Sequence, residues 1–190
     1  MKVFISRFKN SQGMTLMELL IALFLTGIVA TAALQFYSSL NQQMLSQEEM
    51  LNIQQLNRVC LEEIGSNLRS AGYGVTGDGY IINGDSLAIY KRGSAKIDTV
   101  QYFLKEFTSA EYATMTGLVS GTFVYKLMKQ TNAAAPQAFA DYVTDLRYTE
   151  ISSDLIAVTL ETITTKRDET FKQNGGFRKF TNTERVALRN

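Results

Sequence analysis

The sequence predicts an α+β fold, one long N-terminal helix followed by an antiparallel sheet. Three observations point there. Residues Met14 to Leu34 form an apolar run with a single charge, Glu18. From Gln35 to Arg69 the chain has no proline, one glycine, and a stripe of apolar residues at helical spacing. After Gly74 the apolar residues recur at every second position, the period of strands, so helix precedes sheet within one chain.

The first 13 residues carry Lys2, Arg7 and Lys9 and no acid. The 21 residues 14–34 that follow reach across a bilayer core of ~30 Å at ~1.5 Å per residue. The positive-inside rule keeps the basic leader cytoplasmic and exports the rest. A carboxylate in hydrocarbon costs a few kcal/mol unless paired, so Glu18 calls for a partner. Gly27, beside Thr26, is the weakest point of this apolar helix.

The second half of the helix, residues 35–70, is amphipathic. Ile53, Leu56, Cys60, Ile64, Leu68 and Ala71 make one stripe suited to a sheet, with Gln55, Arg58, Glu62 and Ser66 opposite. Gly72 and Gly74 stop the helix near Ser70. Residues 71–190 then form a β-rich domain of about 120 residues, enough for its own core. Ile81 to Asp85 reads as a hairpin turn leading into a strand at Ser86–Lys91. Further strands are expected at Asp98–Phe107, Thr122–Lys129, Tyr142–Ile151, Asp154–Thr164 and Phe177–Leu188. Asn132–Gln137 reads as a loop, and Asn174-Gly175-Gly176 as a turn.

Composition narrows function. Formal charge is +1, and removing the three leader cations brings it to −2, which argues against nucleic-acid binding. There is no histidine, and Cys60 is the only cysteine. Most acid–base and metal chemistry is thereby removed, along with any intrachain disulfide. Cys60 falls at a core position of the helix. Asp78, Asn83 and Asp85 cluster among glycines and are weak candidates for a cation loop, but their spacing misses the EF-hand pattern. The carboxylates of Asp145 and Glu150, or Asp154 and Glu161, read as a solvated face. Gly72-Tyr73-Gly74 and Gly77-Asp78-Gly79 lack the strand–loop–helix context of a phosphate loop. No enzyme activity and no cofactor is expected.

Three readings of the N-terminus compete. One is a plain signal anchor. The second is a cleaved secretory signal ending at Ala30-Thr31-Ala32, although Glu18 spoils its apolar region. The third explains the glycine and the glutamate together. Gly13-Met14-Thr15-Leu16-Met17-Glu18 resembles the processing site of type IV prepilins and pseudopilins, with Met14 in place of the usual phenylalanine. That resemblance implies cleavage between Gly13 and Met14 by a prepilin peptidase, and methylation of the new Met14 amine. It also implies that Glu18, fifth in the mature chain, pairs with such an amine to register subunits. Pairing offsets much of the desolvation cost of both charges.

The junction Leu68-Arg69-Ser70-Ala71-Gly72-Tyr73-Gly74 and the ending Val186-Ala187-Leu188-Arg189-Asn190 resemble those of PilW-type minor pilins. Pseudopilin J of type II secretion is similar in its helix, its size and its Tyr142 to Tyr148 type of strand. The resemblance to minor pilins implies a low-abundance subunit that starts pilus assembly near the filament tip. Its implied partners are other minor pilins, the major pilin, the inner-membrane assembly platform and a PilY-type tip adhesin. Its implied location is the inner membrane, with the C-terminal domain outside the cytoplasm, and then the pilus fibre.

Overall fold

The computed structural model describes residues 15–188 except 95, 116, 120, 169 and 170. The leader, Gly13, Met14 and the last two residues lie outside the described residues. The chain divides into two compact units, Met1–Leu45 and Ser46–Asn190. Helix α1, Leu16–Arg69, contributes to both.

In the first unit every described residue is exposed, and α1 is apolar on all sides as far as Leu34, with polar residues entering from Gln35 on. By length and composition α1 qualifies as a membrane span. Two threonines within the apolar run bond back to the helix. Thr26 Oγ1 donates to Ala22 O at 2.7 Å, and Thr31 Oγ1 to Gly27 O at 2.8 Å. The helix runs through Gly27 without interruption.

In the second unit α1 buries Ile53, Asn57, Cys60, Leu61, Ile64, Gly65 and Leu68. The expected stripe is therefore the packed face, broadened by residues one position on. Seven strands form one antiparallel sheet in simple sequence order: β1 Tyr80–Asn83, β2 Ser86–Arg92, β3 Ile97–Glu106, β4 Tyr125–Thr131, β5 Gln137–Ser152, β6 Leu155–Ile163 and β7 Lys179–Ala187. Leu87, Tyr102, Leu127, Leu146, Val158, Leu160 and Val186 meet the helix stripe in the main core. A smaller cluster of Phe107, Met115, Val124, Ile163 and Phe177 includes residues from the 107–124 segment, which holds the short helix α2, Ser109–Tyr112.

The sheet bends where β4 meets β5. The register slips twice there, and Tyr142 sits at φ +60. Such bulges bend a strand and increase its twist. The Tyr80 hydroxyl of β1 donates to Glu150 of β5 at 3.0 Å, although three strands separate the two in sheet order.

Two expected boundaries are corrected. The fourth strand begins at Tyr125 rather than Thr122 and runs to Thr131. Val124 N–H donates to the Tyr112 hydroxyl, and its carbonyl accepts from Phe107 N–H, so its backbone is already engaged at the loop. The fifth strand begins at Gln137, the last residue of the expected 132–137 loop, five residues ahead of the expected start at Tyr142. The bulge around Tyr142 breaks the period-two pattern and hides that first half.

Candidate functional site

Glu18 lies in the first turn of α1. Thr15 C=O accepts the first helical bond, from Leu19 N–H, which makes Thr15 the N-cap. Thr15 Oγ1 accepts from Glu18 N–H at 3.2 Å, and a Glu18 carboxylate oxygen receives Thr15 N–H at 3.4 Å. This reciprocal pair is a capping box. It places the carboxylate at the positive end of the helix dipole, where two otherwise unpaired N–H groups need acceptors. Glu18 thus has a partner inside its own chain. The spacing Thr15-x-x-Glu18 carries that signal, and a reading centred on bilayer cost passes over it. Gly13 and Met14 fall outside the described residues, so the neighbouring amine has no described position.

The junction between helix and sheet explains its glycines. Gly72 takes φ +76 just past the helix end, and its N–H donates to Tyr90 O at 2.9 Å. A Cβ on Gly79 would come within 2.0 Å of Gly72 N. The two backbones therefore pass in contact, and only glycine fits at position 79.

Polar groups fix α1 to strands β2, β3 and β4. Glu63 pairs with Lys129 and accepts from the Tyr102 hydroxyl at 3.3 Å. Asn67 Nδ2 donates to that hydroxyl at 2.9 Å, and Lys91 Nζ donates to Asn67 Oδ1 at 2.9 Å. Deeper in, fully buried Asn57 donates to Leu160 O at 3.1 Å. Near the start of this helical segment, Ser46 donates to Asp168 at 2.8 Å and Glu49 accepts from Lys166 N–H at 2.7 Å. Asp168 also pairs with Arg178 at 2.8 Å, closing the 164–178 loop without a disulfide.

Burial, with a smaller push from Glu63, raises the Cys60 thiol to about 12, so it is inert in the folded chain. The Tyr148 hydroxyl is buried without a partner, and desolvation drives its pKa well up. Asn83 and Asp85 belong to the tight β1–β2 turn, where Asn83 pairs with Ser86, while Asp78 precedes β1. Among the described residues no three His, Cys, Asp or Glu side chains gather. Asp145 pairs with Arg147, Glu150 with Tyr80, Asp154 with Ser152 and Glu161 with Lys179.

Residues 8–34 match the family model of the prokaryotic N-terminal methylation motif. That segment contains Gly13, Met14, Thr15 and Glu18 and most of the exposed apolar helix. The match, with the helix-and-sheet fold, supports a type IV pilin-like or pseudopilin protein, a class of structural subunits processed by prepilin peptidase. No curated protein and no solved structure matches the chain.

Proposed function

We propose that this chain is a minor type IV pilin, a low-abundance subunit that primes pilus assembly and sits near the filament tip. The observation that carries this reading is the methylation motif at residues 8–34, on a helix whose first half has no partner in its own unit. The peptidase cuts after Gly13 and the Met14 amine is methylated. The subunit waits in the inner membrane with its sheet domain outside the cytoplasm. On assembly the exposed apolar residues of 16–34 exchange lipid for neighbouring helices of other minor pilins and the major pilin. Glu18, held at the helix N-terminus by Thr15, then meets a Met14 ammonium in a water-poor core. The Leu68–Gly74 junction and the chain ending support the PilW-type assignment, and a PilY-type adhesin is the tip partner it implies.

The test is a Glu18→Ala chain expressed in a strain lacking the native copy. Cleavage is expected to remain, with pilus number falling several-fold. Normal pilus numbers would remove the registration role. Unchanged pili with lost protein secretion, on deleting the chain, would move the assignment to pseudopilin J.

A further inference from the structure

β5 is the longest strand, and it keeps both neighbours for less than half its length. β4 pairs with it from Gln137 to Val143, while β6 continues alongside as far as Ser152. The alternation of the ladder decides where the backbone groups beyond Val143 point. Thr164 N–H donates to Arg178 O and Leu188 N–H to Asp154 O, so the even residues of β6 bond to β7 and the odd ones to β5. Asp145, Arg147 and Thr149 therefore bond to β6. Leu146, Tyr148 and Glu150 turn their N–H and C=O groups to the side that β4 has left. The backbones of these residues have no hydrogen-bond partner among the described residues.

The two outer edges of the sheet are guarded. β1 is only four residues long. β7 carries Lys179 and Arg185 on its outer edge, and the Asn182 side chain takes the Thr183 N–H at 2.9 Å. No described side chain takes an N–H of Leu146, Tyr148 or Glu150. The same stretch has unmet side-chain needs. The Tyr148 hydroxyl is buried without a partner, which is costly for a polar atom. Ile151, at the end of the stretch, is 50% exposed, so apolar surface beside the edge is left to be covered.

N–H and C=O groups repeating at every second residue are matched along their length by another peptide backbone. We propose that residues 146–150 of β5 accept an extended segment of a partner protein, added antiparallel in the lane that β4 vacates. Residues directly opposite one another pair on one face, so the edge states the segment's chemistry. It carries an apolar residue opposite Leu146, a side chain with a hydrogen-bonding oxygen opposite Tyr148, and a cation opposite Glu150. Glu150 accepts from the Tyr80 hydroxyl and forms no ion pair among the described residues. The docking edge belongs to the sheet domain alone and does not depend on the pilus assignment.

The probe is a capped peptide, Thr-Lys-Thr-Gln-Thr-Val-Thr, added at millimolar concentration to the full chain in detergent micelles. Amide hydrogen exchange is read residue by residue by NMR. Exchange at Leu146, Tyr148 and Glu150 is expected to slow about tenfold, with Arg147 and Thr149 unchanged because β6 already holds them. The same peptide N-methylated at its Lys, Gln and Val amides should have no effect. Glu150→Pro removes one outward N–H and leaves the β6 ladder in place, so it should cut the slowing at Leu146 and Tyr148 several-fold. Circular dichroism checks that this variant folds, and the methylated peptide provides the same arm on the unsubstituted chain. No slowing at Leu146, Tyr148 and Glu150 overturns the proposal. So does slowing that persists with the methylated peptide, or that follows Thr181, Arg185 and Ala187 on the β7 edge instead.

Discussion

The two parts of α1 share one helical geometry and meet different solvents. From residue 16 to 45 nothing is buried, and as far as Leu34 leucine, isoleucine, valine and phenylalanine occur around the whole circumference. From 46 to 69 the apolar residues gather on one face, and that face is covered by the chain's own sheet. A helix that is apolar all round finds its partner outside the chain, in lipid or in other helices. A helix with one stripe completes a domain. Burial within the chain therefore begins only at Ser46, and the part of α1 before it takes no part in the core of the sheet domain.

The largest test of that division is removal of residues 1–45. The remaining chain is expected to be soluble without detergent and to unfold in one cooperative step in urea, while the full chain requires detergent or lipid. Next in size are single core substitutions. Ile64→Ala or Leu68→Ala, both fully buried, should cost about 2–5 kcal/mol of unfolding free energy, read from urea unfolding of that fragment. In the full chain, Leu23→Ala, more than half exposed, should leave the domain's unfolding unchanged.

A third prediction concerns Cys60, whose thiol burial raises to about 12. It should resist thiol reagents at mildly alkaline pH until the domain unfolds, and rapid labelling of the native protein would place the helix face elsewhere. The smallest effect is a pH dependence. The Lys126 ammonium and then Thr108 N–H hold the Glu111 carboxyl at about 2. A depressed folded value stabilises above the unfolded value of ~4.3 and is lost as pH falls through about 2. Glu111→Gln should flatten that part of the stability profile, as read by urea midpoints across acidic pH.

The same contrast explains what was legible before the structure. The 53–71 stripe was readable because one helical period runs unbroken over five turns, and it is the packed face. The β1–β2 hairpin was readable because Asn83-Gly84 is a local turn signal, and Gly84 takes φ +62. The start of β5 was hidden because a bulge at Tyr142 interrupts alternation. The staple between Ser46 and Asp168 was invisible for another reason: 122 residues separate the two, and no local pattern reports such a contact. The Thr15–Glu18 capping box has a local Thr-x-x-Glu spacing, yet a reading from bilayer cost passes over it. It gives the one acid of the apolar run a place at the helix N-terminus even before a neighbour's amine arrives.

The most direct test of the account is the intact mass and N-terminal sequence of the chain recovered from membranes. The account predicts a single species beginning at methylated Met14, and an unprocessed chain in a Gly13→Asp variant. A chain still beginning at Met1, or one cut after Ala32, would contradict it.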